Sequence, residues 1–133
     1  MIRVPSPLDD ETEGYVSEAI ECGFAVHRAL GPGFLESAYR NAMCLELVAQ
    51  RIPFECEKTC VVKYRDRPVA LHRLDLVVRG RVVVELKAVR ALERSHEAQV
   101  LAYLKASRLP VGLVMNFAGA TLKEGLRRII LRR

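Results

Sequence analysis

Leu74-Asp75-Leu76-Val77-Val78-Arg79-Gly80-Arg81-Val82-Val83-Val84-Glu85-Leu86-Lys87 is two apolar runs around an Arg-Gly-Arg turn. That pattern predicts a β-hairpin. Two carboxylates and a lysine sit inside these otherwise apolar strands, and a buried charge is costly unless it is paired or holds a metal. Glu85 and Lys87 are two apart, so they leave one face of a strand. Two acidic oxygen donors suit a hard cation such as Mg²⁺, and a lysine beside them can hold a phosphate or a developing negative charge. An internal Glu–Lys ion pair at a sheet edge is the plainer alternative.

The turn decides which alternative is open. A two-residue loop at Arg79-Gly80 pairs Asp75 with Val84 and sends Glu85 to the other face. A three-residue loop, Arg79-Gly80-Arg81, sets Asp75 opposite Glu85. Gly80 permits either turn, and a bulge also corrects the register. A shared metal site therefore requires the odd loop or a bulge.

Working outward, Phe54–Tyr64 and Val69–Val78 read as extended, with Arg65-Asp66-Arg67-Pro68 turning between them, and Arg81–Val89 is the third strand. Alternation is poor at Glu57–Thr59, where the first strand is expected to bend. Upstream, Val16, Ile20, Phe24 and Leu30 recur at helical spacing from about Thr12 to Leu30, and Gly31-Pro32-Gly33 ends that helix. A second helix is expected from Phe34 to Gln50, with Ala38, Ala42, Leu45 and Ala49 as its core stripe. Glu36, Tyr39 and Met43 form a neighbouring stripe. Negative charge at Glu36 suits a helix N-terminus even without catalysis.

Downstream, a third helix spans Leu92–Ser107. His96, Gln99 and Tyr103 lie on one face of it, with Val100, Leu101 and Leu104 on the other. Gln and Tyr there offer neutral hydrogen bonds to a ligand, to water or to carboxylates; a plain exposed polar face is the other reading. Val111–Phe117 is almost wholly apolar, as suits a buried strand reached by a helical crossover. The tail after Gly119 reads as extended. The order is helix, helix, three strands, helix, strand: an α/β domain with a mixed central sheet flanked by helices.

Composition bounds the function. The chain of 133 residues has the size of one domain, here taken as 1–133 with an irregular N-terminal arm over 1–10. Met1–Asp10 has no apolar signal-peptide core and no run reaches membrane-span length, so a cytoplasmic protein with no membrane partner is expected. Cys22, Cys44, Cys56 and Cys60 are then free thiols, mostly buried. No Cys/His spacing suggests zinc, and Walker and dinucleotide-binding fingerprints are both missing. Net charge is −5 over residues 1–60 and +10 over 61–133, with Arg127, Arg128, Arg132 and Arg133 crowding the C-terminus. That asymmetry points to an anionic partner for the second half, although a solvated basic surface explains it too. The oligomeric state is left open.

Gly33-Phe34-Leu35-Glu36-Ser37-Ala38-Tyr39 resembles the signature of the GxxExxY proteins, a family that by this resemblance falls in the PD-(D/E)XK nuclease superfamily. Val26-His27-Arg28-Ala29-Leu30-Gly31-Pro32-Gly33 is also similar to that family. So are Asp75 with Glu85-Leu86-Lys87, the Gln99-x-x-x-Tyr103 pair, Gly112 to Phe117, and Gly125-Leu126-Arg127-Arg128-Ile129. The likeness covers roughly residues 15–130. It implies the restriction-endonuclease-like core of helix, three strands, helix and strand. It implies that Asp75 and Glu85, with Glu36 as the acid from the first core helix, bind a divalent metal, Mg²⁺ or Mn²⁺. Lys87 would position the attacking water or steady the phosphate, with Gln99 and Tyr103 beside the site. The expected function is a metal-dependent phosphodiesterase acting on nucleic acid, taken as DNA. The alternatives are a non-catalytic nucleic-acid-binding module on a nuclease fold, or a protein-partner subunit.

Overall fold

The computed structural model describes residues 6–131, so Arg132 and Arg133 of the basic C-terminus and residues 1–5 of the N-terminal arm lie outside it. The elements run α1 (Asp10–Leu30), α2 (Glu36–Ala49), β1 (Phe54–Tyr64), β2 (Arg67–Val78), β3 (Val82–Lys87), α3 (Arg94–Ser107) and β4 (Val111–Asn116). A short 3₁₀ turn, Lys123–Gly125, leads into β5 (Leu126–Ile130). This is the order read from the sequence, and the tail is extended as expected. No helix among the described residues is long and apolar enough to cross a membrane.

The five strands stand in the order β1-β2-β3-β4-β5. Only β3 and β4 are parallel, joined through α3; the other neighbours are antiparallel. Helices cover both faces, because a sheet so apolar at its centre must be shielded twice. On one face Leu76, Val78, Val82, Val84 and Leu86 pack with Val16, Tyr39, Met43 and Leu47 of α1 and α2. On the other, Leu74, Val77, Val83 and Val114 pack with Val100, Tyr103 and Leu104 of α3. Val78 pairs with Val82 and Leu76 with Val84, so the turn is the three-residue Arg79-Gly80-Arg81. Its first two residues have φ of 51° and 66°, a conformation that Gly80 adopts freely and that costs Arg79 about 1–2 kcal/mol.

Local chemistry starts and stops the helices. The Asp9 side chain accepts a hydrogen bond from Thr12 N at 2.7 Å, capping α1 beside its acidic first turn. Glu93 and His96 form a reciprocal capping box at the start of α3. Arg108, with φ 62°, ends that helix in a left-handed conformation.

Four expectations need correction. The buried face of α2 is Tyr39, Met43 and Leu47, not the alanine stripe; Leu45 is 72 % exposed. The small alanines could not compete for burial with a tyrosine whose hydroxyl finds backbone partners. Tyr103 belongs to the buried face of α3 with Val100 and Leu104, whereas Leu101 is only half-buried. The first hairpin turns on Arg65-Asp66 alone, both with positive φ, and Arg67 and Pro68 already belong to β2. Finally, two C-terminal arginines are engaged within the fold. Arg127 donates to the carbonyls of Glu124 and Leu126 at 3.0 and 2.9 Å, and Arg128 pairs with Glu13.

Candidate functional site

Asp75 and Glu85 meet where β2 leaves β3. The β2–β3 ladder ends at Leu76–Val84. Beyond it Leu86 N has no β2 carbonyl to donate to, and the Asp75 carboxylate replaces that carbonyl, Oδ2 accepting from Leu86 N at 2.9 Å. The bond turns Asp75 toward β3 beside Glu85. The chain twists sharply here. Leu76 packs against α1 and α2 while Leu74, two residues away, packs against α3. Opposite on β1, Glu57 has φ 53°, which is the bend expected at Glu57–Thr59.

Glu85 shares the α3 side of β3 with Val83, beneath Tyr103. It is only 5 % exposed. Its Oε1 is 3.9 Å from Lys87 Nζ, a loose contact, and its Oε2 has no hydrogen-bond partner. Burial, then the negative charge and hydrogen-bonding demand of Asp75, push its pKa from the ordinary 4.5 to about 9, against the opposing pull of Lys87. In metal-free protein at neutral pH, Glu85 therefore holds a proton. Such a pair is a costly arrangement for stability alone. The Glu–Lys ion pair considered for this strand is thus present, but too long and too one-sided to account for the burial.

The remaining candidates gather around this pair. Lys87 Nζ donates to Gln99 Oε1 at 3.2 Å. Burial, then the charges of Glu85 and Asp75, raise the Tyr103 pKa. Glu36, the first residue of α2, is half-buried. Burial raises its pKa, the Lys87 charge opposes that, and Asp75 adds to it. Glu36, Asp75, Glu85, Lys87, Gln99 and Tyr103 thus share one neighbourhood drawn from two helices and two strands. His96 stands near Glu36, and its Nδ1 accepts from Glu93 N at 2.9 Å. Among the described residues no three His, Cys, Asp or Glu side chains stand close enough to enclose a metal on their own. Any cation there would rest on the Asp75–Glu85 pair and complete its shell with other oxygens. The four cysteines are free: Cys22 and Cys60 are buried, Cys44 partly so, and Cys56 is exposed.

Two residues that hold this site together are not among the expected site residues, although both lie in stretches that carry the resemblance. Tyr39 is fully buried. Its hydroxyl donates to Gly31 O at 2.6 Å and accepts from Phe34 N at 3.2 Å. It thereby clamps the Gly31-Pro32-Gly33 loop, where Gly33 takes φ 112°, one helical turn from Glu36. Its ring stacks on Phe117, centroids 4.5 Å apart, and Phe117 N donates to Lys87 O at 2.9 Å. One aromatic contact thus ties the start of α2 to the end of β3. Asn116 is the second: its Oδ1 accepts from Val89 N at 3.0 Å and its Nδ2 donates to Val89 O at 2.9 Å, fixing the chain just past Lys87. Its signal is a single amide inside the apolar run Val111–Phe117.

Tyr39→Phe removes only the hydroxyl. It is expected to lower stability by about 1 kcal/mol while weakening any Glu36-dependent activity by roughly tenfold, because a displaced catalytic group loses orientation. Thermal melts beside turnover separate the two effects; equal losses for Tyr39→Phe and a distant variant of matched stability would refute the link to Glu36.

A concavity of about 560 Å³ lies elsewhere, between α1 and α2, and is lined by Glu18, Glu21, Cys22 and Glu46 among others. The acid pair lies instead on β2 and β3, inner strands of the sheet, with Glu85 buried under α3.

No curated protein and no solved structure matches the chain. A family model described as the PD-(D/E)XK nuclease superfamily matches residues 13–129. That span contains every element described above except the N-terminal turn of α1 and the last residue of β5, and with the mixed sheet and flanking helices it establishes that the chain belongs to the PD-(D/E)XK nuclease superfamily.

Proposed function

We propose that this protein is a Mg²⁺- or Mn²⁺-dependent nuclease that hydrolyses phosphodiester bonds in DNA. Nucleases of this superfamily generally use divalent metal ions and act on nucleic acid; the choice of ion and of DNA is our reading. The observation that carries it is the buried Glu85 carboxylate, unpartnered at Oε2 beside Asp75. A divalent cation supplies what that pair lacks, positive charge in a buried position, and hard carboxylate oxygens suit Mg²⁺ or Mn²⁺.

Asp75 and Glu85 would hold the ion. When bound, it supplies Lewis-acid charge to a phosphoryl oxygen and makes water more acidic. Glu36, the half-buried acid at the start of α2, would hydrogen-bond and orient water beside the pair. Lys87, steered by Gln99, places its ammonium against the phosphate or the attacking water. Tyr103 shields the acid pair from bulk solvent and offers its hydroxyl to the same cluster. A binding module without catalysis has no need for a buried acid pair, which favours the enzyme over that alternative.

The deciding experiment incubates the purified protein with single- and double-stranded DNA and RNA, in Mg²⁺, Mn²⁺ or EDTA. Metal-dependent cutting of DNA is expected. Binding without cutting in either metal would return the protein to the binding-module reading. Neither binding nor cutting would favour a protein-partner role.

A further inference from the structure

The outer part of the β1–β2 hairpin extends beyond the rest of the sheet. β1 and β2 have 11 and 12 residues, but β3 pairs only with Leu76–Val78. From Val61 to Arg73 every residue except Val62 is exposed. Its inner face is anchored to α3, with His72 over the Tyr103 ring at 5.4 Å and Cys60 buried beside it. On the opposite face Val61 pairs with Leu71, and Leu71 is 69 % exposed. Tyr64, at the turn, is 67 % exposed.

Charge says what this ribbon meets. Val61–Arg73 carries Lys63, Arg65, Arg67 and Arg73 against a single acid, Asp66. Arg73 pairs with Glu57 at 3.8 Å, whereas Lys63, Arg65 and Arg67 have no carboxylate within salt-bridge distance among the described residues. The ribbon rises from Asp75 itself, so the turn lies about 30 Å along the strand from the acid pair at roughly 3.3 Å per residue.

We propose that this hairpin is an arm that docks in the major groove of duplex DNA beside the cut site. The proposal rests on the nuclease reading and deepens it by naming a double-stranded substrate. A two-stranded β-ribbon fits the major groove of B-form DNA, about 12 Å wide; the deep, narrow major groove of A-form RNA excludes it. Lys63, Arg65 and Arg67 meet phosphates across the groove, and the aliphatic face of Leu71 and Val69 meets base edges such as thymine methyls.

The test measures binding in EDTA, where nothing is cut, of wild type and of Lys63→Gln/Arg65→Gln/Arg67→Gln to a 30-base-pair DNA duplex, the matching RNA duplex and single-stranded DNA. The three positions are exposed, so both proteins should share one melting temperature. The triple variant is expected to bind duplex DNA roughly 10–100-fold more weakly, with the salt slope of log K reduced by about 3. Arg65→Lys/Arg67→Lys keeps the charge and should retain affinity. RNA duplex and single strands should show little difference between wild type and the triple variant. Equal affinity and salt slope for wild type and the triple variant on duplex DNA overturns the arm and leaves the nuclease reading intact. Equal losses on all three polymers overturn the duplex assignment. Wild type that binds no nucleic acid overturns both. A wild-type dimer in sedimentation that Leu71→Asp converts to monomer overturns the arm in favour of an interface between copies.

Discussion

Glu85→Gln is expected to abolish cleavage and, in metal-free solution, to make the protein more stable. The amide fills the same space with no charge to bury. Between pH 4.5 and about 9 the folded protein keeps a proton on Glu85 that the unfolded chain has released. The folded state then binds more protons than the unfolded state, so this group's contribution to stability is full below pH 4.5 and declines as pH rises toward 9. At pH 7 the substitution should recover roughly 3–4 kcal/mol, since each tenfold change in proton affinity is worth about 1.4 kcal/mol. The gain should be greater at pH 8.5 and vanish near pH 4. Added Mg²⁺ or Mn²⁺ at a hundred times its dissociation constant should stabilise wild type by about 2.7 kcal/mol. It should leave Glu85→Gln unmoved. Because the metal must displace the Glu85 proton, its affinity should rise with pH. Melting curves across pH, with and without metal, read all of these. A Glu85→Gln protein no more stable than wild type at pH 8.5 would show that the carboxyl is not held in the protonated, metal-ready state described here.

Lys87→Ala should stop cleavage by a different route. Lysine donates and does not ligate a cation, so metal-induced stabilisation should survive while turnover falls by about 10²–10³-fold, the range for removing one donor aimed at developing charge. DNA binding should persist, and Gln99→Ala, which frees Lys87 Nζ from its 3.2 Å partner, should fall between wild type and Lys87→Ala. The comparison isolates chemistry from binding: loss of metal stabilisation in Lys87→Ala would mean that Lys87 maintains the acid pair rather than meeting the phosphate. Full activity in Lys87→Ala would remove it from the reaction altogether.

Much of this architecture is written in local patterns. Valine-rich runs with period two, broken by Arg-Gly-Arg, can only be strands joined by a tight turn. Gly31-Pro32-Gly33 can only stop a helix. The parity of the Arg79-Gly80-Arg81 turn is not among them: Gly80 permits either loop, and only the folded register, Val78 with Val82, sets Asp75 level with Glu85 on the facing strand. An acid in the middle of Val82–Lys87 is visible to anyone who asks what it costs to bury.

Other features depend on what lies across the core. The alanines of α2 and the stripe of Tyr39, Met43 and Leu47 are equally periodic. Only the contact with Phe117, distant in sequence, chooses the second. Glu85 and Lys87 are both charged strand residues two apart. It takes α3 overhead and Asp75 alongside to desolvate one and leave the other to Gln99. Glu36 and Glu46 look alike on one helix, yet only Glu36 arrives beside Asp75. The exposed reach of the β1–β2 ribbon follows from a mismatch of lengths, since β3 ends after six residues and gives the outer part of β2 nothing to pair with. Propensity and periodicity are properties of neighbours along the chain and are legible there. Burial, pKa and the meeting of distant side chains are set by which surfaces exclude water from one another, and that is decided only when the sheet and its helices close.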